Sequence, residues 1–363
     1  MGGATAPRRV GLFDRAWAGG WLAGCSDQNG GGRVRRWSAG RSGERMSAWL
    51  MPRRGKWGVL LAAPVVVLLA GCGLGGGPTP GGVRLDVTRD FGAQPMLALR
   101  APRVQGQETV MSLLERNAAV TTRYGGGFVE SIAGHSGGSE GGEPSDWFYY
   151  VNGVQASKGA AETNVHPGDR VWWDLHDWSQ TDEVPAVVGS YPEPFLSGLE
   201  GLRQPVRVEC TQPEGNPCLT VRAHLRAAGV RFALAAPAPA GEPDTLRLLV
   251  GTWPQVRGDF NSQALERGPR ASGVYARVAS SGRALVLLDA SGATVRTLTG
   301  SAGLIAATRS GEGDPEWVLT GTDAAGVALA AHALDEVALH DRFAVALTAT
   351  GAVLPLPQPS PGS

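Results

Sequence analysis

The chain has 363 residues, 42% of them apolar, with 33 basic and 33 acidic side chains. That length suits about two domains, and that apolar share builds real cores, which excludes a wholly disordered chain. Zero net charge excludes a general nucleic-acid binder, which carries a basic face.

The charge is unevenly placed. Residues 1–50 hold eight Arg against Asp14, Asp27 and Glu44, whereas residues 72–363 hold 22 basic and 30 acidic side chains. The front segment shows no hydrophobic period and reads as a disordered extension, or as an early start ahead of Met46 or Met51. Met51 opens a short basic stretch, then an apolar run from Trp57 to Ala70. That run is shorter than the ~20 residues that cross a bilayer and suits the apolar core of a secretory signal. It ends in Leu69-Ala70-Gly71-Cys72, which resembles a bacterial lipobox. The resemblance implies cleavage before Cys72 and a diacylglycerol on its sulfur.

Export changes the cysteine arithmetic. Cys25 lies in the front segment and Cys72 is the lipid site, which leaves Cys210 and Cys218. Outside the cytoplasm disulfides persist, and the turn-forming TQPEGNP between them closes easily. A Cys210–Cys218 bridge is expected.

After the anchor, residues 72–82 read as a flexible tether. A first domain is expected over 83–182, a Pro/Gly-rich linker over 183–204, a second domain over 205–347 and a disordered tail over 348–363. In the first domain Val83–Thr88 alternates as a strand, and Met96–Arg100 is a second candidate. Thr109 starts a short helix with Val110, Leu113 and Leu114 on its apolar face. Phe128–Ile132 is a short strand. The Gly-, Ser- and acid-rich stretch 134–146 is an exposed loop. Trp147–Val151 is an aromatic strand closed by Asn152-Gly153, a hairpin-turn signal. Pro167-Gly168-Asp169 turns the chain into a last strand, Val171–Trp178.

This order resembles the transcobalamin C-terminal-domain-like modules of secreted bacterial proteins, relatives of soluble-ligand-binding β-grasp folds. The likeness spans roughly 100 residues, from VMSLLERNAAV through FVESIAG to WFYYVNGVQASKGAAETNVHPGDRVWWDL. Trp147, Tyr150, Val151, Asn152, Gly153, Gly159, Gly168, Asp169 and Trp172 fall where that pattern expects such residues. The Gly/Ser loop 135–145 departs from it. The resemblance implies a binding module with cobalamin or another corrinoid as the ligand, although the helical partner domain of the eukaryotic relatives is absent.

The second domain alternates strand and helix patterns. Val206–Glu209, Leu246–Gly251, Val274–Val278, Ala284–Asp289, Trp317–Thr320 and Phe343–Leu347 read as strands. Leu219–Ala228 and Val256–Glu266 read as helices, and Asp323 caps a third, AAGVALAAHALDEV. The fold class is α+β: a β-grasp-like N-terminal domain followed by a small α/β domain.

Strand alternation sends Trp147, Tyr149 and Val151 to one face and Phe148 and Tyr150 to the other. Asp174, His176 and Trp178 share one face of the last strand. Aromatic faces with polar tips suit flat amphipathic ligands, and they equally suit a core. The candidate ligand-binding residues are Trp147, Tyr149, Tyr150, Asn152, Trp172 and Trp173. His166 and His176 place a metal within conceivable reach, but polar residues at a strand end are ordinary, so no metal is assigned. Asp146 and Asp169 are acids by type, and Asp169 reads as a turn residue bonding nearby backbone. No nucleophile elbow, zinc-helix motif or phosphate loop occurs. No enzyme activity, cofactor or nucleic-acid partner is expected.

The sequence therefore reads as a lipid-anchored extracytoplasmic ligand-binding protein that captures a corrinoid for a membrane importer, with loop 134–146 as a lid. The alternative is an adhesion or scaffold module of the cell envelope that meets protein or glycan.

Overall fold

The computed structural model describes residues 82–100, 104–139 and 144–360. The extension, the signal, Cys72, most of the tether and the tip of the expected lid lie outside the described residues. Among the described residues no helix is long and apolar enough to cross a membrane. The architecture is α+β and rich in strands.

The first half runs β1 (Arg84–Arg89), β2 (Gln94–Arg100), α1 (Val110–Asn117), β3 (Val120–Arg123), β4 (Phe128–Ile132), β5 (His135–Ser136), β6 (Ser145–Val151), β7 (Val154–Gln155) and β8 (Arg170–Asp177). Five strands form a sheet in the order β2-β1-β8-β6-β7. Its central pair, β1 and β8, is parallel and its other pairs are antiparallel. The strands β3, β4 and β5 form a separate small sheet. Thr109 caps α1: its hydroxyl accepts from Ser112 N while Ser112 Oγ accepts from Thr109 N. This reciprocal cap fixes the helix start, and Val110, Met111, Leu113 and Leu114 face the sheet. Asn152 and Gly153 take positive φ of 53° and 78°, the turn that Asn-Gly favours between β6 and β7.

Both faces of this sheet are buried. Trp147, Tyr149, Val171 and Trp173 pack with Leu85, Val87 and α1. Tyr150 and Trp172, on the opposite face, pack with Phe91 and with residues of the second half, Tyr275 and Phe343 among them.

The second half continues with β9 (Val206–Cys210), α2 (Asn216–Ala227), β10 (Ala233–Ala235), β11 (Leu246–Thr252), α3 (Trp253–Val256), α4 (Pro269–Ser272), β12 (Ala276–Val278), β13 (Leu285–Leu288), β14 (Thr294–Leu298), β15 (Gly303–Thr308), β16 (Glu316–Gly321), α5 (Ala324–His332), α6 (Glu336–Leu339), β17 (Ala344–Leu347) and β18 (Val353–Leu356). Seven strands line up as β10-β9-β11-β16-β15-β17-β18. The β10-to-β16 portion is parallel and the rest antiparallel. One face carries α2 and α5, through Val221, Leu225, Val327, Ala330 and Ala331. The other face carries the three-stranded sheet β12-β13-β14 and the aromatic side of the first half. The two longer helices thus share one side, and the single turn α3 packs on the other through Trp253 and Val256. The apolar run AAGVALAAHALDEV breaks at Asp335, whose carboxylate accepts from Ala338 N and starts α6. The expected helix over 256–266 is not continuous: the single turn α3 ends at Val256, and a short 3₁₀ helix covers Ser262–Glu266.

Two expectations are corrected. The segment 183–204 is not a flexible linker: Val184, Ala186, Val187, Val188, Tyr191 and Phe195 are all buried. Ala186 pairs beside Val154, and the Tyr191 and Phe195 rings pack on Trp317. Pro and Gly mark an irregular backbone, and its apolar side chains still bury. The stretch 348–360 is not a disordered tail. Its Val353–Leu356 alternation fills the open edge of β17, and Gln358 N donates to Leu288 O at 2.8 Å.

Cys210 and Cys218 form a disulfide, joining the end of β9 to the first turn of α2. Trp172 is among the largest fully buried side chains. Trp172→Ala is expected to cost about 3–5 kcal/mol, read by urea unfolding of the full chain. A loss below about 1 kcal/mol would show that the seam between the halves collapses around the void.

Candidate functional site

The aromatic strands do not present a binding face. Trp147, Tyr149, Tyr150, Trp172 and Trp173 are buried, and Asn152 has no exposed surface at all. Tyr149 OH donates into backbone carbonyl Lys158 O at 2.5 Å and lies 2.8 Å from Thr163 Oγ1. Trp147 Nε1 donates to His135 O at 3.0 Å. Asn152 latches three segments together. Its Nδ2 donates to Asp169 Oδ1 at 2.8 Å and to Gly198 O at 2.7 Å, and its Oδ1 accepts from Arg170 N at 2.9 Å. Trp147, Tyr149 and Asn152, bonded in this way, cannot turn to a ligand without leaving buried polar groups bare, whereas Tyr150 Oη and Trp173 Nε1 are buried without a hydrogen-bond partner. The sheet is covered on both faces, so the stacking site expected from its aromatics is not available.

Asp174 and His176 serve the seam. The Asp174 carboxylate accepts from Phe91 N at 3.0 Å and Gly92 N at 2.9 Å, and from the Thr88 hydroxyl. His176 Nδ1 adds a contact of 2.9 Å, and Trp172 Nε1 donates to Thr88 Oγ1 at 2.8 Å. This network holds the β1–β2 turn. The Phe91 ring it presents sits 4.6 Å from His176, 4.9 Å from Tyr275 and 5.1 Å from Phe343. Gly92 is required there, because a Cβ would fall 1.8 Å from Asp341 O.

What remains open is a cleft of about 460 Å³ between the halves. The first half contributes Gln155, Lys158, Glu162, His166 and Asp169; the segment 199–204 contributes Leu199, Glu200 and Leu202; the second half contributes Asp244, Arg309, Glu312 and Asp314. Acids outnumber Lys158 and Arg309, so the cleft favours cationic or hydrogen-bond-donating groups. Arg309 ties the halves at its edge, donating from Nη2 to Gln155 O at 3.0 Å. Its Nε is buried without a partner. Asp169 closes the wall beside His166 Nδ1, at 3.4 Å. Burial raises the Asp169 carboxyl, partly offset by hydrogen bonds from His166 N and Asn152.

A second hollow of about 390 Å³ shares Asp244, Glu312, Gly313 and Asp314 with the cleft, and Arg247 and Glu316 also line it. Arg247 is buried among Glu209, Asp259 and Glu316. Its Nε and Nη2 grip Glu209 in a fork of 2.9 and 2.8 Å. One cation does not balance three acids. Burial, then Asp259 beside it, push the Glu316 carboxyl up to about 9, against the pull of Arg247. Glu316 is therefore protonated at neutral pH.

The sequence offered a signal for this cluster: lone charges inside apolar strands, as in VRVEC, LRLLVGT and EWVLTG. Such charges are expensive unless paired. It offered none for the cleft, whose side chains come from loops distant in the chain. Cys210 and Cys218 join as expected, and Cys72 lies outside the described residues.

Residues 107–177, from the approach to α1 through β8, match the model of a domain of unknown function, DUF4430, a transcobalamin-like family. No curated protein matches the chain. Among solved structures, a chain titled "Crystal structure of a putative metal binding protein from Ruminococcus gnavus" aligns at 16% identity with a TM-score of 0.22, covering 26% of this chain and 95% of that one.

A raised carboxyl makes stability depend on pH. Between the ordinary carboxylate range and about 9, folded Glu316 keeps a proton that the unfolded chain has lost. Stability then falls as pH rises across that window, by up to about 1.4 kcal/mol per pH unit. Glu316→Gln, neutral throughout, is expected to flatten this fall. Urea unfolding at intervals across the window checks it, and an unchanged slope in the variant would assign the dependence to other groups.

Proposed function

We propose that this protein is a lipid-anchored, extracytoplasmic binding protein that takes a small polar ligand into the cleft between its halves. The cleft carries the reading. About 460 Å³ lies within the range of small-molecule sites, and both halves and the segment between them converge on it with charged groups.

We read the first half as a β-grasp-type module. The order β2-β1-β8-β6-β7, with a parallel central pair and α1 across one face, supports that reading. Its transcobalamin-like character makes a corrinoid the first ligand to test. Stacking on tryptophan is not available, so recognition rests on hydrogen bonds from Lys158, His166 and Arg309 and to Glu162 and Glu312 at the rim. The ligand then meets the cleft with its amide or hydroxyl periphery. Delivery to a membrane importer follows from the anchor on Cys72.

Calorimetric titration of the full chain with cobalamin, cobinamide, monosaccharides and small amines tests the cleft. Saturable binding is expected for one class, weakened at least tenfold by Lys158→Ala and by Glu312→Gln, both far from the cores. If no class binds at millimolar concentration, the cleft reading fails. Recovery of a defined envelope protein or glycan on the purified chain would then favour the scaffold alternative. The anchor is tested separately. Cys72→Ser is expected to move the protein from the membrane fraction to the soluble fraction and to abolish labelling by a radioactive fatty acid. Retention of the label would refute lipidation at Cys72.

A further inference from the structure

The seam between the halves gathers a set of ligand atoms that neither the cleft nor the aromatic core uses. Asp86 lies on β1, and His340 and Asp341 follow α6. One carboxylate oxygen of Asp86, one ring nitrogen of His340 and one carboxylate oxygen of Asp341 all lie within 4.8 Å of one another. The Asp86 side chain is only 7% exposed, and Arg84 Nε lies 2.7 Å from its Oδ2 as an ion pair. Its other oxygen, Oδ1, is buried with no hydrogen-bond partner. A buried carboxylate oxygen without a partner is costly unless something cationic completes it.

The surrounding charges leave room for a cation. Arg84 and Arg170 are both held by Glu336, at 2.8 and 2.7 Å. With those arginines set against Glu336, Asp86 and Asp341, one negative charge is left over. His340 and Asp341 are partly exposed, so the group opens to solvent on their side. The backbone that presents them is held in place: Arg342 N donates to Leu339 O at 3.1 Å, and Val188 N donates to Phe343 O at 3.1 Å.

We propose that Asp86, His340 and Asp341 form a divalent-metal site that bridges the two halves. One imidazole and two carboxylates, with positions left for water, suit a first-row transition dication such as Zn²⁺ or Mn²⁺ better than Ca²⁺, which takes about 6–8 oxygens. Zinc held about 2.1 Å from each ligand sets those atoms about 3–3.5 Å apart, whereas His340 Nδ1 and Asp341 Oδ2 already lie 2.9 Å from each other, so loading exchanges that contact for bonds to the metal. The ligands come from both halves, so metal pins the seam and lowers the freedom of one half against the other. This inference stands on the seam and not on the cleft, and it holds whether or not a small ligand binds.

The test is equilibrium dialysis of the untagged full chain against Zn²⁺, with Ca²⁺ as the comparison, followed by thermal unfolding with and without Zn²⁺. One equivalent of Zn²⁺ is expected at micromolar free metal, with a higher melting temperature and much weaker Ca²⁺ uptake. His340→Gln and Asp86→Asn should each weaken Zn²⁺ binding at least tenfold and remove the thermal shift. His340 lies at the surface, so its variant keeps the fold even if Asp86→Asn loosens it; melting of the metal-free variants reports on that. No saturable uptake up to millimolar Zn²⁺, or uptake unchanged by His340→Gln, would overturn the site.

Discussion

The burial of one aromatic sheet face against a second sheet organises this protein. Tyr150, Trp172 and His176 stand on the far side of the five-stranded sheet from α1. The seven-stranded sheet and its small companion sheet cover that side through Tyr275 and Phe343. Each large ring removes on the order of 150–250 Å² from water, and edge-to-face contacts add direction. A single buried carboxylate, Asp174, holds the β1–β2 turn that drives Phe91 into the centre of this packing. Of the aromatic run that looks like a ligand face in isolation, Tyr150 and Trp172 join the two halves, while Trp147, Tyr149 and Trp173 pack under α1.

That junction decides what else is possible. With the halves fixed together, their loops leave one polar cleft on one side and bring Asp86 to His340 and Asp341 on another. The segment 183–204 belongs to the junction, with Val187 N bonded to Gly153 O and Tyr191 and Phe195 packed on Trp317. A two-domain protein joined by a free linker would form no such sites, because relative motion would scatter their ligands.

Charge is handled in one manner throughout. Ions are grouped around arginine: Arg247 with Glu209, Asp259 and Glu316, and Arg84 and Arg170 with Asp86, Glu336 and the nearby Asp341. In both groups acid exceeds base. In the first a proton on Glu316 removes one of the two excess negative charges. In the second the proposed dication meets the excess.

Much of the local structure was legible in the sequence. The Thr109 cap, the Asn152-Gly153 turn, the strands around Trp147 and Val171 and the Cys210–Cys218 bridge all follow from short-range rules of capping, turn chemistry and loop closure. Alternation also sorted Tyr149 from Tyr150 and Trp173 from Asp174. Alternation gives the face a side chain takes and says nothing of what covers that face. Only tertiary packing decided that both faces are dry, that Asn152 is a latch, that 183–204 and 353–356 are built into the sheets, and that Asp86 meets residues some 250 positions away. Periodicity is a property of neighbouring residues, whereas a site of this kind depends on contacts that exist only after two sheets have closed on each other.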